Sequence, residues 1–105
     1  MTEFDSREEA FEKRFAVDEE LAFKALARRN KLLGLWLAQT LGIADAKAYA
    51  DALVAAEVGR ADPGGLFATI RARLSEAGVE MSDNRLQRKI DETAAQARAE
   101  IMAGR

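Results

Sequence analysis

The sequence predicts an all-α protein, a four-helix bundle over residues 18–105 with a mobile N-terminal segment over residues 1–17. Three observations carry this. Ala, Leu, Glu, Arg and Lys dominate a chain of 105 residues that holds a single Pro, so helix formers are plentiful and breakers scarce. Apolar residues recur at helical spacing in each long stretch, and no run alternates with the two-residue period of a strand. Candidate caps punctuate the chain at short intervals, and short connections favour antiparallel helical neighbours.

The elements follow in order. Asp5 with Glu8 three positions later matches a capping box over the first residues. Asp18, followed by Glu19 and Glu20, is a second candidate N-cap with acids in its first turn. From there to Leu41 only Gly34 interrupts a helix of roughly 36 Å, and Gly42 is placed to end it. Ala22, Leu26, Leu33, Leu37 and Leu41 share one face, widened by Ala25 and Trp36. Asp45 to about Val58 reads as an Ala-rich second helix with Tyr49 and Leu53 on its apolar side. Asp62 before Pro63 has the form of an N-cap followed by proline at the first helical position. The third helix carries Leu66, Ile70 and Leu74 and stops at Gly78. Ser82 caps the fourth, with Leu86, Ile90, Ala94, Ala97 and Ile101 inward. The expected core is Leu26, Leu33, Trp36, Leu37, Leu53, Ile70, Leu74, Leu86 and Ile90, and the Ala-rich stripes should let some helix pairs approach closely.

Composition narrows function by exclusion. The chain has no Cys and no His, so thiolate chemistry, the commonest metal ligand and the commonest general base are all missing. No nucleophile–base arrangement and no Gly-rich phosphate loop can be assembled, so no catalytic residue, metal site or cofactor is assigned. Net charge is −2, which argues against non-specific nucleic-acid binding. Asn84, Arg85, Gln87 and Arg88 are base-reading residue types, but no basic face accompanies them. The longest apolar run, Leu32–Ala38, is too short to cross a bilayer, so no direct membrane insertion is expected. The acidic N-terminus is unlike a signal or transit peptide, and a cytoplasmic location is the default expectation.

The charges divide unevenly. Residues 1–20 carry Glu3, Asp5, Glu8, Glu9, Glu12, Asp18, Glu19 and Glu20 against Arg7, Lys13 and Arg14, an acidic piece on a mildly basic body. At about 100° per residue, Phe4, Phe11 and Phe15 fall within a narrow arc of one helical face. An aromatic stripe on a charged helix suits docking into a partner's groove. It suits packing on the chain's own bundle too, because Ala22, Leu26 and Leu33 continue it in phase. Arg28, Arg29 and Lys31 form the densest basic cluster, either a contact for an acidic partner surface or a solvated face paired with nearby carboxylates.

Three runs together carry a resemblance: Phe4-Asp5-x-Arg7-Glu8-x-Ala10; Phe15-Ala16-x-Asp18-x-Glu20-Leu21-x-Phe23-Lys24; and Ala27-Arg28-Arg29-Asn30-Lys31-Leu32-Leu33-Gly34-x-Trp36. The chain resembles the zeta subunit of alphaproteobacterial F-type ATP synthases, densely through Trp36 and more loosely afterwards. The resemblance implies a four-helix bundle that inhibits ATP hydrolysis through its N-terminal segment, residues 1–17. It implies a partner in the catalytic head, formed by the alpha, beta and gamma subunits, and a location peripheral to the inner membrane when bound. The free protein is expected to be a monomer. Phe4, Asp5, Arg7, Glu8, Phe11 and Phe15 would make the partner contacts, with Arg28, Arg29 and Lys31 beside them. Phe11 stands where a polar residue is more usual and Val17 where His is common, and both make the segment more apolar. The alternative is a structural or adaptor bundle of the same fold without inhibitory activity.

Overall fold

The computed structural model describes the backbone of residues 3–58 and 65–104, and side chains from Asp18 onward. Four helices form: α1 (Glu3–Leu41), α2 (Ala46–Glu57), α3 (Gly65–Glu76) and α4 (Asp83–Ala103). No strand occurs among the described residues. The Asp62-Pro63 cap lies outside them.

Helix α1 differs from the sequence expectation at its start. It begins at Glu3 and runs unbroken, so Asp5 and Asp18 lie within it and neither stands at a helix start. Aspartate inside a helix costs only a few tenths of a kcal/mol, whereas stopping at Asp18 would require a second costly nucleation. Glu20 and Lys24 pair at 3.2 Å one turn apart and support the continuation.

The remaining boundaries follow local chemistry. At Gly42, in the left-handed region with φ +72°, the amides of Gly42 and Ile43 donate to the carbonyls of Gln39 and Ala38. That pair of bonds closes α1 as a Schellman motif. The same pair recurs at Gly78, φ +71°, where the Gly78 and Val79 amides donate to Ser75 and Leu74. The Asp45 carboxylate accepts from the Ala48 amide at 3.1 Å and starts α2. The Ser82 hydroxyl accepts from the Arg85 amide at 3.2 Å and starts α4.

Leu33 and Leu37 of α1 meet Leu66, Ile70 and Leu74 of α3 and Leu86 and Ile90 of α4 in one core cluster. Full burial of each such side chain stabilises by about 1.5–3 kcal/mol. Half-buried Trp36 packs against the edge of this cluster, with the Lys89 ammonium 5.5 Å above its ring. Helix α2 joins through Ala50 and Leu53, both buried. Here Gly34 is more than an interruption: a Cβ placed on it would stand 2.6 Å from Ala50 Cα and 2.9 Å from Ala50 Cβ. Its missing side chain is what lets α1 and α2 come so close.

Leu26 departs from the expected core, being 50% exposed. The reason is the length of its neighbours. Helix α2 ends at Glu57, whose carboxylate acts on Arg29 one turn above Leu26. Only the last turns of α4 remain at that level, and two helices cannot enclose a side chain that three can. The molecule measures 64 × 25 × 22 Å, its long dimension matching the roughly 58 Å of α1.

Candidate functional site

The site begins from the unbroken helix. A regular helix from Glu3 to Leu41 preserves the 3.6-residue period across the whole stretch. Phe4, Phe11 and Phe15 therefore share an arc of about 40° and stay in phase with Ala22 and Leu26. The side chains of Phe4, Asp5, Arg7, Glu8, Phe11 and Phe15 lie outside the described residues; their backbone belongs to α1. Helix α4 lies against α1 and brings Met102 to the level of Asp18 and Leu21. Residues 3–17 thus continue α1 by four turns past the end of α4.

Where α1 emerges from the bundle, it and the end of α4 form a groove of about 420 Å³. Leu21, Ala22 and Leu26 make one wall, Ala94, Ile101 and Met102 the other, with Asp18, Arg29 and Arg98 among the lining residues. Leu26 and Met102 are about half exposed, and Phe23 beside them is 65% exposed. Sequence periodicity assigned Leu26 and Ile101 to the core and passed over Arg98. The i+7 and i+11 spacings from Phe15 to Ala22 and Leu26 were the available signal that this wall continues the helical phase of positions 4, 11 and 15.

The three basic residues of the cluster each have a partner within the chain. Arg28 Nε donates to Glu100 Oε2 at 2.7 Å, tying α1 to α4. That hydrogen bond, supported by one from Gln96, holds the Glu100 carboxyl below its ordinary range. Arg29 donates through Nε and Nη2 to Asn30 Oδ1 at 3.1 and 2.9 Å. Burial pushes its guanidinium pKa down, and the Glu57 carboxylate partly offsets that. Lys31 Nζ stands 3.9 Å from Asp51 Oδ1 of α2. Arg28 and Lys31 thus pair with carboxylates of the chain itself, whereas part-buried Arg29 bonds to an amide oxygen, and partner contacts by these cations would require exchanging those bonds.

At the opposite end of the bundle a more polar hollow of about 520 Å³ is lined by Trp36, Thr40, Met81, Arg85, Arg88 and Lys89, with Glu80 and Glu92. Cations and carboxylates there are interspersed. Among the described residues no group of acids could hold a metal ion, and no helix is long and apolar enough to cross a membrane.

A small bundle, a long helix running out of it and an open apolar groove at the exit define a class by form: helical-bundle proteins whose surface suits helix-in-groove docking. The chain belongs to the family described as ATPase inhibitor subunit zeta, whose model matches residues 1–100. Comparison with curated proteins finds no match. Membership makes this a chain of a regulatory inhibitor family and agrees with the resemblance carried by its first 36 residues.

Proposed function

We propose that this protein inhibits ATP hydrolysis by an F-type ATP synthase by inserting residues 1–17 between subunits of the catalytic head. The observation that supports the reading best is the projection of residues 3–17 as a continuation of α1 beyond the bundle. Phe4, Phe11 and Phe15 supply the apolar anchors, each worth about 1.5–3 kcal/mol if fully buried. Asp5, Arg7 and Glu8 set orientation through paired charges at the rim. The bundle is about 22–25 Å across its short dimensions and acts as a stop too wide to follow the helix into a cleft. The wedge blocks the closure and rotation that hydrolysis needs. The protein works in the cytoplasm and is peripheral to the membrane only through the enzyme.

Inhibition of the cognate head by the full chain, by a chain lacking residues 1–17 and by the Phe4→Ala/Phe15→Ala variant tests this. Truncation should abolish inhibition. The double substitution should raise the half-inhibitory concentration about thirtyfold or more, the loss of 2 kcal/mol or above typical of buried aromatic anchors. Its melting temperature should stay unchanged. Undiminished inhibition by a folded double variant refutes the wedge. A sharp fall in melting temperature instead places the phenylalanines in the core, where such truncations cost about 3–5 kcal/mol.

A further inference from the structure

The groove between α1 and the end of α4 presents half-exposed Leu26 and Met102 beside Arg29 and Arg98. We propose that a second copy of this chain fills it with residues 4–15, and reciprocally, in an antiparallel dimer.

The match is one of length, phase and charge. The stripe Phe4–Phe15 and the α1 wall of the groove, Asp18–Arg29, each span eleven residue steps, about 16 Å of helix. They abut on the same face of one unbroken helix. A two-fold axis crossing α1 near residues 16–17 therefore lays each stripe along the other copy's groove. Phe15 then meets the level of Asp18, Phe11 that of Ala22, and Phe4 that of Arg29. Such an isologous contact closes on itself and does not propagate. In this register Asp5, Glu8 and Glu9 run past the levels of Arg28 to Lys24 on the other copy, next to Arg29 and Arg98. The acidic helix thus runs beside Arg98 of the groove, Lys24 and Arg28 having to exchange their pairs with Glu20 and Glu100 to join it, and the aromatic stripe lies along the apolar walls. The chain's own segment cannot fill the groove, because the continuous helix carries residues 3–17 away from it.

The consequence for regulation rests on the function proposed above. The same residues would serve as inhibitory wedge and dimer contact, so self-association withdraws the inhibitor as its concentration rises. A free monomer is then the state at low concentration.

The chain has no cysteine, so the register can be read by disulfide trapping. A mixture of Phe11→Cys and Ala22→Cys chains, oxidised at high concentration, should yield at least tenfold more crosslinked heterodimer than Phe11→Cys mixed with Ala52→Cys, an exposed position on α2. Equal yields overturn the proposal. So does a Phe11→Cys/Ala22→Cys double variant that crosslinks within single chains at high dilution, because the occupant is then the chain's own segment. Sedimentation equilibrium of the unaltered chain should show the mass rising from 11.5 kDa toward twice that value. Leu26→Asp, at a position already half exposed and so tolerant of change, should weaken dimerisation at least tenfold. A unaltered chain that stays monomeric to about 1 mM, or a dimer indifferent to Leu26→Asp, overturns it. Inhibition measured at concentrations far below dimerisation reads the wedge alone, so the two proposals fail separately.

Discussion

At the residue scale, Gly34 shows how one missing side chain sets a helix contact. Alanine there would gain about 1 kcal/mol of helix propensity, and in a solvent-facing turn it would stabilise. Here the added methyl stands 2.6 Å from a backbone atom of Ala50, which cannot swing aside. Overpacking of this kind costs about 1–3 kcal/mol, more where the backbone itself must move. Gly34→Ala should therefore lower the melting temperature by several degrees despite its better propensity, as read by calorimetry. An unchanged or higher value would show that α2 can shift outward freely. The sequence marked Gly34 only as an interruption in a helical pattern, while the Ala-rich faces did announce close approach. Which small residue meets which was decided by the register of α2 on α1.

At the element scale, α1 combines two different environments in one helix. From Leu33 to Ala38 it runs through the core, where Leu33, Leu37 and Ala38 are fully buried. From Leu26 toward Glu3 its neighbours end one after another. An isolated helix of this length is marginal in water, so local opening should grow easier toward Glu3. Amide hydrogen exchange is expected to be fast over residues 4–17, slower past Ala25 and slowest around Leu33–Leu37. Protection of residues 4–17 equal to that of the core turns would show the segment integral to the bundle and remove its freedom to dock elsewhere. Periodicity identified the stripe and its phase. It could not tell where along α1 the covering helices stop, because that depends on the lengths and register of α2 and α4.

At the scale of the whole molecule, the ends of the bundle are held by polar ties between helices as well as by the core. Arg28 links α1 to Glu100 of α4, and Arg73 of α3 donates to the Tyr49 hydroxyl of α2 at 2.6 Å. Glu100 has a folded-state pKa below its ordinary value, so its contribution is complete above the unfolded-state pKa. It is lost as pH falls through the folded value. The melting temperature of Glu100→Gln should accordingly lie below that of the unaltered chain at neutral pH, with the gap narrowing as pH drops below the usual glutamate range. A gap constant down to strongly acid pH would show that the pair adds nothing to the folded state. The helical class, the caps at Gly42, Gly78 and Ser82, the start of α2 at Asp45, the buried faces of α3 and α4 and the absence of Cys and His chemistry were all determined by the sequence. These rest on local geometry, on periodicity and on the inventory of side chains, none of which needs a third dimension. Tertiary structure alone decided that Leu26 opens onto a groove and that Gly34 touches Ala50. Each depends on where one helix ends beside another, and contacts between distant segments leave no periodic trace in the chain.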